Sequence, residues 1–361
     1  MTKKNIMIID IGKEYGGAEN QILNLINELS PDYNIILVLN EIGEFINNLN
    51  DINCNIIKIK NTPLEILKNA KYISSCIIEN NIDIINAHGI IASLIAVLAN
   101  KKAMKKLVIN IHSDSQYDFN GIKKIIYSFI ELFTLRKADK IITVSKDLKY
   151  KIIERYKINK DKIININNGI NIKHISNRTI KDDKFKFLFV GRLEKVKNVP
   201  FLINAMKELK LKGYNFSCDI VGSGSEEEQL KEIVNINNLE SSINFLGYQE
   251  DISEFMIQSN LLLLTSNMEG MPIVIIEAFG YNLPVISSNV GGINEIITNK
   301  KTGILYEKNN MNEFVDILER ILNNDIDLNS ISNNAYLEYK TKWTSSSMSE
   351  KYMNVFEEID I

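Results

Sequence analysis

The sequence is dominated by short runs of β-branched residues that alternate with longer amphipathic segments along the whole chain. Seven such runs precede residue 170, and the first is Ile6–Ile11. Continuous apolar runs are typical of strands buried on both faces, and helical crossovers between them make neighbouring strands parallel. The pattern therefore predicts an α/β fold built on parallel sheets.

The alternation falls into two halves, each about the size of an ordinary domain. The first half contains the predicted strands Ile6–Ile11, Ile35–Leu39, Ile56–Ile59, Ile82–Ala87, Leu107–Ile111, Lys140–Val144 and Ile163–Ile166. The second half contains Phe185–Val190, Phe216–Val221, Ile243–Phe245, Leu261–Thr265, Val285–Ser287 and Gly303–Tyr306. The polar stretch Lys173–Lys184 is the predicted linker. We therefore expect two doubly wound α/β domains, followed by a helix from about Trp343 to Glu358.

Composition excludes several classes of protein. The net charge of the 361 residues is −3, which does not indicate a nucleic-acid binder, although residues 1–180 carry +7 and residues 181–361 carry −10. The three cysteines form no CxxC pair, so neither a zinc site nor a disulfide framework is expected. The longest apolar helical stretch, Gly89–Ala99, is shorter than the roughly 20 residues that span a bilayer. We expect a cytoplasmic protein, attached at most to the inner membrane surface.

The segment Asn260–Gly280 is the most informative part of the sequence. Its strand ends near Thr265, and Glu269 lies in the loop before a helix whose first turn is expected at Pro272. The free amides of that turn form a site for an anion. Glu277 lies in the helix, so the two carboxylates are on different elements and can bind different hydroxyl groups. Paired glutamates are also common on solvated helices, and that alternative stays open.

Two further groups of candidate residues each follow the first predicted strand of one half of the sequence. Arg192 and Lys197 follow the first strand of the second half, where a guanidinium and an ammonium suit a diphosphate. Gly16 and Gly17 follow the first strand of the chain, where a ligand can approach the backbone. Solvated loop charge and an ordinary turn are the respective alternatives.

Two of the three histidines, His88 and His112, end predicted strands of the first half. Asp114 follows shortly after His112. In open parallel sheets, ligands bind beyond the carboxyl ends of the strands. These three residues are therefore candidates for the acceptor side of a site, although strand-end histidines also serve as structural hydrogen-bond partners.

Together these features resemble the retaining glycosyltransferase family 4, whose fold is GT-B: two Rossmann-like, doubly wound parallel-sheet domains facing a central cleft. The resemblance extends in order from about residue 5 to 310. It is carried by Gly16–Glu19, Asn110–His112, Ala138–Ser145, Asn168–Gly169, Val190–Asn198, Phe245–Gly247, Glu269 with Glu277, and Val290–Glu295. It implies an acceptor-binding domain at 1–175, a nucleotide-sugar-binding domain at 176–342, and a helix at 343–361 that packs back on the first domain.

The resemblance also implies roles for individual residues. Arg192 and Lys197 would hold the donor diphosphate, Glu277 the ribose and Glu269 the transferred sugar, with His112 near the reacting carbon. The catalytic residues would be Arg192, Lys197, Glu269 and His112. The donor-binding residues would be Gly16, Gly17, Arg192, Lys197, Gly247, Glu269, Gly270, Met271, Pro272, Ile273 and Glu277.

The expected activity is metal-independent, retaining transfer of a sugar from a nucleotide-diphosphate sugar, with UDP favoured because it is the commonest donor of the family. The acceptor would be a saccharide, lipid-linked or protein-linked, in polysaccharide or glycoconjugate biosynthesis. No cofactor and no metal are expected, since the Asp325-Ile-Asp327 pattern reads as a helix start. A basic cluster at residues 101–106 and an amphipathic helix from Ile122 to Phe133 suggest contact with an anionic membrane, with core packing of that helix as the alternative.

Three other classes of protein are alternatives for this sequence. A nicotinamide dehydrogenase is suggested by Asp219–Glu227, but Glu227 occupies the place of the third glycine of the dinucleotide fingerprint. A nucleotide-sugar epimerase or a sugar phosphorylase of the same fold differs in its requirement for an acceptor. A non-enzymatic sugar-binding protein of two lobes would be exported, and no signal segment is seen.

Overall fold

The computed structural model describes residues 3–13, 16–43, 45–46, 49, 52–118, 121–172 and 184–359. The chain forms two compact units: unit 1 comprises residues 1–171 and 344–361, and unit 2 comprises residues 172–343. The chain thus leaves unit 1 once and returns to it at Thr344. Of the predicted linker Lys173–Lys184, only the last residue, Lys184, is among the described residues.

Unit 1 is built on a seven-stranded sheet in which every pairing is parallel. Its strands are β1 (Asn5–Ile9), β2 (Asn34–Asn40), β3 (Asn55–Ile59), β4 (Ile84–His88), β5 (Lys106–Ile111), β6 (Lys140–Thr143) and β7 (Ile163–Asn165), in the order β3-β2-β1-β4-β5-β6-β7. The central strands are buried along most of their length, which explains their continuous isoleucine runs.

Helices connect these strands. They are α1 (Gly17–Leu29), α2 (Ile66–Glu79), α3 (Ile90–Ala103), α4 (Ser115–Asp118), α5 (Gly121–Lys137) and α6 (Lys146–Tyr156). A short 3-10 turn, Pro63–Glu65, precedes α2. The α6 helix begins where Ser145 accepts a hydrogen bond from the Leu148 amide at 3.2 Å, the usual role of serine at a helix start.

The apolar side chains of the α5 helix do not pack in the core. An apolar stripe of five side chains on this helix is exposed: Ile122, Ile125, Ile126, Phe129 and Phe133. The side chains that α5 buries are instead Glu131, Thr134 and Leu135. Core packing is therefore wrong for the stripe. The face of α5 that is turned inward carries mainly polar side chains, and neighbouring hydroxyl groups donate hydrogen bonds to Glu131.

Unit 2 is built on a six-stranded sheet, again parallel throughout. Its strands are β8 (Phe185–Val190), β9 (Phe216–Val221), β10 (Ile243–Phe245), β11 (Leu261–Leu264), β12 (Val285–Ser288) and β13 (Ile304–Tyr306), in the order β10-β9-β8-β11-β12-β13. Because β8 and β11 are neighbours, the loops that follow them leave the same edge of the sheet side by side.

The helices of unit 2 are α7 (Val199–Leu211), α8 (Glu227–Ile236), α9 (Ser253–Gln258), α10 (Ile273–Gly280), α11 (Ile293–Ile296), α12 (Met311–Leu322) and α13 (Leu328–Lys342). The α10 helix begins at Ile273, one residue later than predicted, and Pro272 is its N-cap. Asp327 caps α13 by accepting from the Ser330 amide at 3.0 Å, which confirms the helix-start interpretation of the Asp-x-Asp pattern.

The last helix, α14 (Ser345–Glu358), belongs to unit 1. Its Tyr352 and Phe356 are buried in the core that the first strands share with α1. Burial of one such aromatic side chain is worth about 1.5–3 kcal/mol. The hydroxyl of Tyr352 donates to Asn110 Oδ1 at 2.8 Å and accepts from Gln21 Nε2 at 3.1 Å. Through these bonds α14 takes part in a polar network that joins α1 to the end of β5.

Among the helices of the described residues, none is long and apolar enough to cross a bilayer. The three cysteines carry free thiols, with Cys76 and Cys218 buried and Cys54 partly exposed. Burial raises the pKa of the Cys54 thiol to about 11, so this group is an unreactive thiol near neutral pH.

Candidate active site

The loop after β8 carries the two predicted diphosphate ligands. Arg192 is exposed immediately beyond the strand, and Lys197 ends a short 3-10 turn, Lys195–Lys197, that leads into α7. Glu194 anchors this loop by accepting hydrogen bonds from the Ser225 amide at 3.0 Å and from its hydroxyl at 2.8 Å. These bonds, together with the nearby Arg192 charge, hold the pKa of Glu194 below its usual range.

The loop after β11 brings Glu269 to Lys197. Lys197 Nζ donates to Glu269 Oε1 at 2.6 Å, and the Ser266 hydroxyl donates to the same oxygen at 2.5 Å. The two charged side chains are only 18% and 10% exposed, so the ion pair is partly buried. Two residues predicted separately, 72 positions apart in sequence, therefore form one cluster at the carboxyl edge of the sheet.

Backbone contacts fix these two loops against each other. The Asn267 amide donates to the Val196 carbonyl at 2.7 Å, and the Thr265 hydroxyl lies 3.1 Å from the Lys197 and Asn198 carbonyls. These hydrogen bonds hold the Lys197 and Glu269 loops in place, and charges that are preorganised in this way stabilise a bound charge effectively.

A third loop, after β12, supports the Glu269 main chain. The Gly292 amide donates to the Glu269 carbonyl at 3.3 Å. At Gly291 the backbone φ is +53°, and a Cβ atom there would lie 1.9 Å from the same carbonyl oxygen. Only glycine satisfies both requirements, so Gly291 is a supporting residue of the site.

The start of α10 provides the remaining donor-side features. Gly270 is partly buried, whereas Met271, Pro272 and Ile273 are buried at the helix N-terminus, where the first amides have no partner within the helix. Glu277 is the fifth residue of α10. Its burial raises its pKa to about 7, and the nearby Asp251 carboxylate adds to the effect. A carboxyl group with this pKa changes charge near neutral pH.

Gly247 was predicted beside the nucleotide base. It lies two residues beyond β10 with a φ of +66°, and its carbonyl accepts from the Gly222 amide at 2.8 Å. The strand β10 is two places from β8 in the sheet, so Gly247 lies at the same carboxyl edge as the Lys197–Glu269 pair.

In unit 1, Gly16 and Gly17 form the start of α1. The Gly16 amide donates to Glu19 Oε2 at 2.9 Å, so the Glu19 side chain folds back over the helix N-terminus. Glu14 and Tyr15, which precede the glycines, lie outside the described residues. The predicted glycine turn is thus observed at its helical end.

The two strand-end histidines of unit 1 contact each other. His88 is the last residue of β4 and His112 directly follows β5, the neighbouring strand. His88 Nδ1 and His112 Nε2 are 2.9 Å apart, and the rings are stacked with centroids 5.1 Å apart. Burial lowers the pKa of His112 to about 4, and burial together with His112 lowers that of His88 well below its ordinary value. Both rings are therefore neutral at pH 7.

Asp114, predicted on the acceptor side, is bound to Arg155. The guanidinium donates to both carboxylate oxygens, at 2.7 and 2.9 Å. Burial alone would raise the pKa of Asp114, but the bonds from Arg155 and from the Gln116 amide bring it below its usual value. Because its carboxylate is committed to this pair, Asp114 orders the loop after β5 and is a poor candidate for direct ligand binding.

A cavity of about 250 Å³ opens beside His112 in unit 1. Its polar lining includes Ser115, Thr134 and Glu131. The sequence analysis missed Glu131, which is 3% exposed and accepts from the Ser115 hydroxyl at 2.7 Å and from the Tyr156 hydroxyl at 2.6 Å. Its burial raises its pKa despite these bonds. The rest of the lining is largely apolar and includes Ile109 and Leu135. A carboxylate and hydroxyl groups at one side of an apolar cavity suit an uncharged ligand that carries hydroxyl groups.

No metal centre is seen within the described part of the chain, where no three His, Cys, Asp or Glu side chains are grouped to hold an ion. The charged side chains that are in direct contact in the loops after β8 and β11 are one cation and one carboxylate, Lys197 and Glu269. Such a set matches an anionic group joined to a polyhydroxylated one.

Comparison with known proteins identifies the family. The sequence model described as "Glycosyltransferase Family 4" matches residues 15–174, and that described as "Glycosyl transferases group 1" matches residues 171–338. An uncharacterised glycosyltransferase of Methanocaldococcus jannaschii is 31% identical over 72% of the chain and 71% of its own length. The chain belongs to the family 4, group 1 glycosyltransferases. It is a glycosyltransferase enzyme with the GT-B fold.

Two further proteins are similar to this glycosyltransferase over nearly their full length. One is the Campylobacter jejuni N-acetylgalactosamine-N,N'-diacetylbacillosaminyl-diphospho-undecaprenol 4-alpha-N-acetylgalactosaminyltransferase, 27% identical over 90% of this chain and 91% of that one. The other is Anabaena Alr3699/HepE, solved in complex with UDP-glucose. It shares 19% identity and a TM-score of 0.85, covering 98% of this chain and 99% of that one.

Membership of the glycosyltransferase family excludes the dehydrogenase and the non-enzymatic binding protein. The structure shows what the glycines of the dehydrogenase-like segment do instead. Cβ atoms at Gly222 and Gly224 would lie 2.0 Å from the Gly191 carbonyl oxygen and 2.4 Å from that of Leu193. These glycines let the loop after β9 pack against the loop that carries Arg192.

Proposed function

We propose that this glycosyltransferase moves a sugar, with retention of anomeric configuration, from a UDP-sugar to a hydroxyl group of a lipid-linked saccharide in cell-surface polysaccharide or glycolipid biosynthesis. The observation that carries the donor assignment is the Lys197–Glu269 ion pair at the carboxyl edge of the unit 2 sheet. It joins a group that binds phosphate to one that binds sugar hydroxyls.

In this proposal Arg192 and Lys197 neutralise the diphosphate as it leaves. Lys197 and Ser266 both bind Oε1 of Glu269, so Oε2 is the oxygen placed to accept a hydroxyl hydrogen bond from the sugar. Glu277 accepts from the ribose hydroxyls, and the amides at the start of α10 bind the phosphate or sugar oxygens. UDP is supported by the UDP-glucose held by the Anabaena protein.

The proposed transfer takes place on one face of the sugar. The bond from C1 to the diphosphate oxygen breaks, a centre resembling an oxocarbenium ion forms, and the acceptor oxygen bonds to C1 from the same side. The acceptor proton passes to the departing diphosphate. Each cation that stabilises the leaving charge contributes about 3 kcal/mol to lowering the barrier, as is typical of preorganised donors.

The acceptor assignment is supported by unit 1. The cavity of about 250 Å³ beside His112 is smaller than the roughly 300–1,000 Å³ of sites for drug-sized ligands, so it matches a single sugar ring. The C. jejuni relative is named for a diphospho-undecaprenol substrate. A lipid-linked saccharide is therefore the acceptor class that we favour.

A lipid-linked acceptor requires contact with a membrane, and the apolar stripe of α5 supports this. Ile122 is 76% exposed and Phe129 is 68% exposed. Lys123 and Lys124 lie between Ile122 and Ile125 at the start of α5, and α3, which packs against α5, has Lys101 and Lys102 in its last turn. Exposed apolar side chains beside lysines are typical of helices that lie in an anionic membrane surface. We propose that unit 1 attaches there, on the cytoplasmic side.

Vesicle sedimentation tests the attachment. The Ile122→Ser, Phe129→Ser double variant should remain in the supernatant with vesicles rich in anionic lipid, while the wild type sediments. Leu337→Ser is the matched control, since Leu337 is 57% exposed on α13 of unit 2. Equal sedimentation of the double variant and the wild type would show that the stripe does not bind membrane.

The activity itself is tested by hydrolysis of a panel of nucleotide-sugars without acceptor, followed by transfer to a lipid-linked saccharide with the product anomer read by NMR. Arg192→Ala with Lys197→Ala should abolish turnover of the preferred nucleotide-sugar. The control is Lys195→Ala, an exposed lysine of the same turn. Full activity in excess chelator is expected. Near-normal turnover by the double variant would refute the assignment, and requirement for an acceptor separates transfer from epimerisation or phosphorolysis.

A further inference from the structure

The contact between the two histidines of unit 1 constrains which nitrogen of His112 carries a proton. His88 Nδ1 and His112 Nε2 are 2.9 Å apart, a distance at which one nitrogen donates and the other accepts. We propose that His88 is a positioning residue that fixes His112 in the tautomer with its proton on Nδ1. The inference rests on the proposed function only for the role it gives His112.

Both rings are neutral, which leaves two arrangements of the shared proton. Burial lowers the pKa of each ring below its ordinary value, so neither ring is an imidazolium at pH 7. In the first arrangement, His88 Nδ1–H donates to His112 Nε2, and His112 is protonated on Nδ1. In the second, His112 Nε2–H donates to His88, and His88 is protonated on Nε2.

The surroundings of His88 favour the first arrangement. Its side chain is 2% exposed, and no group of the described residues forms a hydrogen bond with its Nε2. The second arrangement would bury an N–H without an acceptor, which costs about 1–3 kcal/mol. Orphaned buried N–H groups are rarer in proteins than under-satisfied acceptors. The first arrangement leaves Nε2 as a lone pair and is therefore the more stable.

The consequence concerns what His112 can do to a ligand. Its Nε2 is occupied by His88, so Nδ1 is the nitrogen left to meet a ligand in the cavity that His112 lines. With a proton on Nδ1, His112 donates a hydrogen bond to a sugar oxygen and cannot remove a proton from the acceptor. The histidine then selects an oxygen acceptor on the ligand, and the acceptor proton must leave by another route.

Long-range ¹H–¹⁵N correlation spectra test the tautomer directly in the wild-type protein. The chain contains only three histidines, so His112→Gln and His88→Asn assign the signals. We expect His112 to show the pattern of a neutral ring protonated on Nδ1. A ring protonated on Nε2, or a charged ring at pH 7, would overturn the proposal. This readout needs no substrate, so it stands or fails separately from glycosyl transfer.

Two substitutions at His88 add a functional readout. His88→Leu removes the donor, and should release His112 into a mixture of tautomers and lower kcat roughly 10- to 100-fold, the usual effect of losing a partner that orients a histidine. KM for the nucleotide-sugar should stay within about twofold. His88→Asn offers an amide N–H in the same region and should restore most of the activity and the Nδ1–H tautomer. An unchanged tautomer and kcat in a folded His88→Leu protein would refute the positioning role.

Discussion

Substitution of Gly291 by alanine tests whether the position of Glu269 limits the activity. The Gly291 φ of +53° adds about 1–2 kcal/mol of backbone strain for any residue with a Cβ. The added Cβ would also lie 1.9 Å from the Glu269 carbonyl oxygen, where real contacts are at least 3.0 Å. The Glu269 main chain must therefore retreat by at least about 1.1 Å, and a 1 Å misplacement can lower a rate about 100-fold.

Gly213→Ala is the matched control for this experiment. Gly213 also has a positive φ, +86°, but a Cβ there meets no atom within 4 Å. Both variants should lose about 1–2 kcal/mol of unfolding free energy from backbone strain, measured by urea denaturation, and Gly291→Ala should lose more because of its clash with the Glu269 carbonyl. Only Gly291→Ala should also lose activity.

The assay is kcat/KM for donor turnover, with affinity for UDP-sugar measured by calorimetry. We expect Gly291→Ala to fall about 100-fold in kcat/KM while Gly213→Ala remains within about twofold of the wild type. If Gly291→Ala folds and turns over donor at the wild-type rate, the Glu269 position does not control the reaction. If Gly291→Ala does not fold, Glu269→Gln, which keeps the shape but not the charge, tests instead whether the Glu269 carboxylate is needed; wild-type turnover by this variant would refute its role.

Three further outcomes are expected. The raised pKa of Glu277, about 7, means that its carboxylate form grows as pH rises; the affinity for UDP-glucose should rise about 10-fold from pH 6 to pH 8, and Glu277→Gln should abolish this dependence in calorimetry. Asp114→Asn leaves the Arg155 charge without its partner and should lower the unfolding free energy by about 3 kcal/mol in urea, an effect that a surface pair would not show. Tyr352→Phe leaves Asn110 Oδ1 without this donor and should cost about 1–2 kcal/mol; an unchanged melting temperature would contradict the polar network.

The strands were predictable because burial on both faces leaves a direct mark on the sequence. All thirteen predicted strands are present, with bounds shifted by at most two residues, since apolar runs such as Ile6–Ile9 are stable only where both faces of a strand are buried. For Lys197 and Glu269, only their position at the same edge of the sheet could be predicted. That prediction was possible because the known topology of such sheets makes β8 and β11 neighbours.

The features that sequence reasoning missed or left open depend on side-chain direction. The contact of His88 with His112 follows from the register of β4 against β5, in which His88 is opposite Asn110, and no pattern in the sequence gives that register. Glu131 looks like a solvated helical carboxylate until the buried Ser115 and Tyr156 hydroxyl groups are placed around it. The apolar stripe of α5 has the periodicity of a core face, and only the packing of the helix shows that it is exposed.

The return of the chain to unit 1 has a consequence for how the protein is made. Met348, Tyr352 and Phe356 of α14 complete the core around Ile6, yet more than 300 residues separate them from that strand. Domains generally begin to fold in order of synthesis. Here the core of unit 1 stays incomplete until α14 has been synthesised, after the whole of unit 2. Unit 2 can therefore reach its final structure first.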